Sequence, residues 1–544
     1  MKINLKTAAA VAVALFVINT ASVAQQMPAK TADLPKNWHT LDLQKDGYFG
    51  VSLNQAYDFL KGKKSKTVVV ATIDSGVDTL QKDLQPVLWV NTQEKAGNGR
   101  DDDHNGYADD IHGWNFLGGP NGKCDVNETT EEVREYYRLK DKYATITTAS
   151  AAADKSEYAY WLKVKSIRDS TVSKSQAELN QLSPLMNALV TTDAFLKKSL
   201  NLHAGQSFTK NDLNKLDDKN DTLKQSKYIW GLIFQEADNA KTDTKTITEL
   251  NEYLTKLNND VNPDLESRKR VVGDDPNDFK DKSYGSNQLK FDDASHGTGV
   301  AGLIGAVRNN GYGIDGIADN VKIMAIKAVP NGDEYDKDIA NAIRYAVDNG
   351  AKVVNMSFGK KISPHKKWVD DAIKYAAEKD VLLVQASGND NQDVDAKPEF
   401  PNDSFLDGTT SDNLISVGAS SATKDENLAA TFSNYGKKNV DVFAPGVKVT
   451  SIDKDAEFNT ADGTSFASPI TAGVAALVLE YYPTLSARQL KAVILASAKP
   501  QNLQVIKPGS KEKVAFTTLS KTGGVVNALE ALKVASTMKG ERKK

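Results

Sequence analysis

Three segments carry side chains whose types suit one chemical task. Ile73-Asp74-Ser75-Gly76-Val77-Asp78 sets an acid directly after a short apolar run. His296-Gly297-Thr298-Gly299-Val300-Ala301-Gly302 sets an imidazole before a stretch of small residues. Gly463-Thr464-Ser465-Phe466-Ala467-Ser468-Pro469 sets a hydroxyl ahead of Ile470 to Val478, which is apolar on nearly every face. Taken singly, each has a plain explanation: a turn aspartate, a chance histidine, an N-cap serine. Taken together they form a relay. A serine hydroxyl is a weak nucleophile until a base takes its proton, and a histidine serves as that base once a carboxylate fixes its tautomer. Ser465 at a helix start also has free N–H groups and the helix dipole beside it, both favouring developing negative charge.

The surrounding elements must hold these groups still. Thr67 to Ile73, Val321 to Ile326, Ala351 to Met356, Val381 to Ala386 and Leu414 to Val417 are short, largely apolar runs. Such runs fit strands buried on both faces of a parallel sheet. Residues 336–349 place Ile339, Ala342, Ile343, Ala346 and Val347 on one helical face, and Gly350 can end that helix. Ser486 and Gln489 have capping-box spacing. Alternating strands and helices imply an α/β layered fold. Residues 126–262 differ, with Gly205, Gly231 and Pro184 as their only glycines and proline. Three apolar stripes there predict helices: Tyr158-Trp161-Leu162, Leu182-Leu185-Met186-Leu189-Val190, and Ile247-Leu250-Tyr253-Leu254-Leu257.

The order Asp, His, Ser and the three motifs resemble the subtilisin-like serine proteases (subtilases, peptidase family S8). The family patterns are D-[ST]-G, H-G-T-H-V-A-G and G-T-S-M-A-[ST]-P. The resemblance covers roughly residues 40–119 and 268–535. It implies a three-layer α/β fold with a mostly parallel central sheet. It implies a serine endopeptidase with Asp74, His296 and Ser465 as its triad, acting on flexible polypeptide bound extended beside an edge strand. Ala386-Ser387-Gly388-Asn389 resembles the family's oxyanion segment, with Asn389 as side-chain donor. Substrate binding falls by resemblance to Ser357, Phe358, Gly359, Ala386 and Gly388, in part as walls of the S1 pocket. Phe432-Ser433-Asn434-Tyr435-Gly436 and Phe443-Ala444-Pro445-Gly446 match further landmarks. The family default at P1 is hydrophobic; Asp390 at the S1 rim would tolerate a basic P1. Two departures stand out. Gly299 replaces a second histidine, and Phe466 replaces methionine. Narrow-specificity processing and a catalytically silent binding scaffold are the alternatives, the second opposed by the complete triad.

Domain boundaries follow. Residues 1–24 read as an export signal, with Lys2 and Lys6, the apolar run Ala8 to Ile18, and Ser22-Val23-Ala24 before the cut. Residues 25–119 and 268–535 read as a split catalytic domain, 120–267 as a helical insertion, and 536–544 as a solvated basic tail. Asp74 and His296 lie 222 residues apart, much farther than is usual in the family. No later segment looks transmembrane, so a soluble protein exported to the periplasm or the extracellular space is expected.

Charge and cysteine content exclude other classes. Lys plus Arg number 68 against 71 Asp plus Glu, a balance that disfavours nucleic-acid binding. The one cysteine, Cys124, rules out an intrachain disulfide scaffold and reads as a buried, inert thiol. Asp101, Asp103, Asn105 and Asp109 alternate around Gly106 like the first half of a calcium loop, or like an acidic surface turn. By resemblance, Asp83 and Asn310 would hold a second calcium with the carbonyls of Arg308, Tyr312 and Ile314. Structural Ca²⁺ is therefore the expected cofactor, with no organic one.

Overall fold

The computed structural model describes residues 34–217, 220–234, 241–456 and 458–542. The export signal at 1–24 lies outside the described residues. Two compact units are present. One comprises Leu34–Glu131 together with the chain from Leu265 onward; the other is Glu132–Asp264.

The larger unit carries a seven-stranded sheet in the order β2-β3-β1-β4-β5-β6-β7. Its strands are β1 Val68–Asp74, β2 Gly113–Asn115, β3 Val321–Lys327, β4 Val353–Met356, β5 Leu382–Ala386, β6 Leu414–Ser420 and β7 Val442–Pro445. Every neighbouring pair is parallel. All five strands expected from the sequence are present, with no end shifted by more than three residues.

The strands are apolar on both faces because both faces are covered. Val68 and Val70 of β1 point into one core, and Ala71 and Ile73 into the other. The first core holds Ala56 and Leu60 of α1 (Leu53–Leu60), with helices met later in the chain. Trp38, fully buried, sits in the same core, so the segment before β1 belongs to this unit.

In the smaller unit, two expected stripes share one helix. Helices α2 Glu131–Tyr143, α3 Lys155–Ser199, α4 Asp221–Ile233 and α5 Asp243–Val261 run in order. The 45-residue α3 contains Tyr158, Trp161, Leu182, Leu185 and Leu189 on its buried side, with Pro184 inside it. Leu162 and Val190, which fitted the stripes, are half-exposed. Trp230 packs edge-on to Phe208 at 5.1 Å and tilted on Phe234 at 5.4 Å, within a core that includes Leu250 and Leu257.

The longer helices that complete the larger unit are α6 Ser295–Gly305, α7 Asp336–Asp348, α8 Lys366–Glu378, α9 Thr464–Tyr481, α10 Ala487–Ser497 and α11 Ala528–Ser536. Residues from α6, α9, α10 and α11 enter the first core, and residues from α7 and α8 the second. The capping box of Ser486 and Gln489 forms at the start of α10.

The helical unit is shorter than the expected 120–267. Its leading edge is tied down elsewhere: Asp125 N–H donates to Leu117 O at 2.8 Å, and Asn331 N–H to Val126 O at 2.7 Å. At the other edge, buried Arg268 pairs with Asp274 at 2.8 Å and Asp338 at 2.6 Å. The end of the chain also differs from a solvated tail. Gln489 Nε2 donates to Lys539 O at 2.8 Å, and Arg542 donates to Leu485 O at 2.9 Å and Asp380 O at 3.0 Å. A long guanidinium stem covers surface while its head satisfies carbonyls.

Candidate active site

The parallel sheet presents the carboxyl ends of its strands at one edge, where such folds build sites. Asp74 ends β1, Asn389 follows β5, and Ser357 follows β4. His296 opens α6 and Ser465 opens α9.

Asp74 is buried. Its Oδ1 accepts from Ser75 N–H at 2.7 Å and from His296 Nδ1–H at 2.7 Å. That bond fixes the proton on Nδ1 and leaves Nε2 as the basic nitrogen of the neutral ring. The approach of α6 to the β1 turn needs a residue without a side chain. A Cβ on Gly297 would lie 2.0 Å from Gly76 O.

A second, unforeseen tie joins the same two elements. Asp74 stands opposite Lys327 in the register of β1 and β3. Lys327 is fully buried and donates from Nζ to Ser75 O at 2.6 Å. It also pairs with Asp293, which lies just before α6. Ser75 Oγ donates in turn to Asp293 O at 2.8 Å. Burial pushes the Asp293 carboxyl above its ordinary range, and the Lys327 ammonium opposes that shift. The only sequence signal for this brace is a lysine ending a buried strand.

Ser465 is held by the start of α9. Pro469 has no N–H, so the carbonyl four residues back loses its helical donor. That carbonyl belongs to Ser465 and accepts from Ser357 Oγ at 2.9 Å. Ser468 Oγ donates to Asn355 Oδ1 at 2.7 Å, and Asn355 Nδ2 to Ser357 Oγ at 2.9 Å. Ser357 therefore braces the turn that carries Ser465, and Phe358 is buried in the second core. A Cβ on Gly463 would lie 2.7 Å from Ser465 Oγ, so glycine there leaves the hydroxyl uncovered. No hydrogen bond joins Ser465 Oγ to His296 among the described residues. Such contacts are commonly long in a resting site and tighten around substrate.

The two departures from the family motifs touch. A Cβ on Gly299 would lie 3.8 Å from the Phe466 ring. The same ring meets His296 edge-on at 6.0 Å between centroids. Ile452 O, 3.3 Å from the same Cβ position, is the tighter neighbour, so a longer side chain at 299 would extend between that carbonyl and the Phe466 ring.

Asn389 is oriented by Thr464. Thr464 N–H and Oγ1–H both donate to Asn389 Oδ1 at 2.9 Å. The carbonyl end being committed, the amide N–H₂ is the donor end. Gly388 takes φ +102°, a conformation open to glycine, and its N–H reaches Thr464 Oγ1 at 3.2 Å. Fully buried Asn434 holds the loop from below. It accepts at Oδ1 from Asp390 N–H at 3.0 Å and Gln392 N–H at 2.9 Å, and donates from Nδ2 to Ser387 O at 2.9 Å.

The metal candidates regroup. Glu94, Asp101 and Asp103 each bring a carboxylate oxygen within 4.8 Å of the others. Glu94 lies outside the alternating pattern and was invisible in it. Asp109 stands outside that cluster and accepts from Gly97 N–H at 2.8 Å, Asn98 N–H at 3.2 Å and Gly99 N–H at 2.7 Å, just as Glu94 accepts from the N–H groups of Asp102, Asp103 and Asp109. Asn105 turns its amide nitrogen toward Asp103 at 3.2 Å and Asp110 at 3.1 Å. Asp83 and Asn310 do meet, with Asn310 Nδ2 donating to Asp83 Oδ1 at 2.6 Å. Cys124 is mostly enclosed, and burial pushes its thiol up to about 12, which suits an inert role.

The sheet, the turn after β1 and the buried helix after Gly463 are the framework of a subtilase. The pattern of the Subtilase family matches residues 65–525, and the chain belongs to that family. It is 38% identical over 219 residues to the thermophilic serine proteinase of Bacillus sp. (strain AK1), covering 40% of this chain and 49% of that protein. It is 39% identical over 202 residues to the minor extracellular protease Epr of Bacillus subtilis (strain 168), covering 37% of this chain and 29% of that protein. The chain thus spans half or less of the length of these relatives. A solved protease from Pseudoalteromonas arctica is matched at 18% identity and a TM-score of 0.45, over 92% of this chain and 97% of that one.

Proposed function

We propose that the protein is a serine endopeptidase acting on extended polypeptide. Ser465 Oγ attacks the scissile carbonyl while His296 Nε2 takes its proton. The developing oxyanion is met by the Asn389 amide and the Ser465 N–H at the start of α9. His296 then gives the proton to the leaving amine, and an acyl-enzyme remains. Water, deprotonated by His296, hydrolyses that ester and restores Ser465. Asp74 holds the ring and stabilises its charged form. The observation that carries this reading is the Asp74–His296 bond of 2.7 Å, beside a ring that packs on the residue following Ser465. The test is hydrolysis of unfolded casein by the full chain, and its loss in Ser465→Ala at an unchanged melting temperature. Equal turnover by that variant overturns the reading.

Structural calcium belongs to the same proposal. Glu94, Asp101 and Asp103 offer hard oxygen ligands in the kind of cluster Ca²⁺ takes. A bound ion there would supply only charge neutralisation and loop rigidity. Asp83 would serve a second ion once the Asn310 amide turns its oxygen inward. Chelation with EDTA is expected to lower the melting temperature by a few degrees, the scale set by a ligand near 100-fold above its Kd. An unchanged melting temperature removes calcium from the proposal. Export is supported by the sequence of residues 1–24, and among the described residues no helix is long and apolar enough to cross a membrane.

A further inference from the structure

The two glycines expected to wall the P1 pocket, Gly359 and Gly388, face a carboxylate. A Cβ built on Gly388 would lie 2.4 Å from Glu399 Oε2, and one on Gly359 would lie 3.4 Å from it. The other oxygen, Oε1, accepts from Asn434 Nδ2 at 2.9 Å. Asn434 also holds the oxyanion loop, so the carboxylate is fixed relative to Asn389. Beyond the glycines, Glu399, Ala386 and Ser387 also line a cavity of about 180 Å³ whose wall includes Lys366 and Asp403. We propose that Glu399 is the specificity-determining residue of this site, selecting a lysine or arginine side chain at P1.

The inference rests on the endopeptidase reading and deepens it. An apolar P1 group lodged between these glycines would close over the Glu399 carboxyl group and offer its Oε2 no partner. An ammonium or guanidinium would instead make a charge-assisted hydrogen bond to Oε2. Burial first, then the charge of Asp390 and a hydrogen bond with its side chain, raise the Glu399 pKa to about 8 against the opposing Asn434 and Lys361, so without a cation beside it this acid is held protonated at neutral pH. An arriving cation adds to the lowering side of that balance and favours the ionised pair. Asp390, the acid singled out from the sequence, thus faces Glu399 and acts through it.

The test compares two peptide substrates identical except for Arg or Phe at P1. The intact enzyme is expected to give at least a tenfold higher kcat/KM for Arg. Glu399→Gln keeps shape and hydrogen-bonding capacity but not charge, and is expected to cut the Arg/Phe ratio about a hundredfold. Glu399→Asp should keep the sign of the preference. An intact enzyme that favours Phe, or a ratio unmoved in Glu399→Gln, overturns the proposal. So does a ratio that collapses in Asp390→Asn but survives in Glu399→Gln. Binding of the two peptides to Ser465→Ala protein, measured by calorimetry, reads the same pocket without turnover. Tighter Arg-peptide binding with no hydrolysis by the parent would sink the endopeptidase reading alone; equal binding of both peptides would sink this one.

Discussion

Replacing Lys327 with methionine should damage both stability and reactivity. The side chain is fully buried, donates to Ser75 O at 2.6 Å and pairs with Asp293. Methionine fills a similar volume but strands two partners. Removing one member of a buried ion pair costs about 3–5 kcal/mol, chiefly because the remaining charge stays in a poor solvent. Asp293 already has a raised pKa and can escape part of that cost by taking a proton. The unpaired Ser75 carbonyl adds roughly 1–3 kcal/mol. A loss of about 4 kcal/mol is therefore expected for Lys327→Met. The double variant Lys327→Met with Asp293→Leu should recover about half of it, since a matched apolar pair replaces the charges. The assay is urea unfolding in a Ser465→Ala background, which prevents self-digestion. With Ser465 intact, the rate of fluorophosphonate labelling should drop tenfold or more in Lys327→Met, because the brace joins the Asp74 turn to the His296 helix. A loss below about 1 kcal/mol, or a double variant no better than the single, would refute the brace.

Three further outcomes follow from the same geometry. Asn389→Ala should reduce kcat on the order of 10²–10³, the size known for this donor in subtilisin itself, with little change in KM; an equal loss in KM would place the residue in ground-state binding. Gly299→His should slow serine labelling by crowding Phe466, and adding Phe466→Met should restore it; two independent, additive losses would show that the departures are unrelated. Glu480 in α9 is fully buried, its Oε2 has no conventional donor, and burial together with Asp319 pushes its pKa up to about 9. The folded state then holds a proton that the unfolded state has released, so stability falls as pH rises between the unfolded value near 4.5 and about 9. Glu480→Gln should flatten that fall, gaining on the parent more at pH 8 than at pH 5 in parallel urea titrations; identical slopes would contradict it.

Much of the candidate site was legible because its signals are local. Asp74, His296 and Ser465 each begin or end an element whose apolar pattern is readable in sequence, and Ser486 with Gln489 announced a cap that forms. The residues that stayed hidden act across the fold. Lys327 meets Asp74 only through strand register, and Glu399 reaches Gly359 and Gly388 from a loop with no periodicity. Glu94 completes an acidic cluster from outside the alternating run, while Asp109 lies outside it, turned to the backbone of residues 97–99. The stripes of α3 were correct in period, but the continuity of a 45-residue helix across Pro184 is a matter of packing, which no stripe records.

The central claim is that Ser465 is a nucleophile activated by His296 and Asp74. Its most direct test is mass spectrometry of the intact protein after treatment with a fluorophosphonate, followed by peptide mapping. The expected result is a single adduct on the peptide bearing Ser465, absent in Ser465→Ala and slowed by orders of magnitude in His296→Ala. An adduct on another residue, or a folded parent protein that takes none, would contradict it.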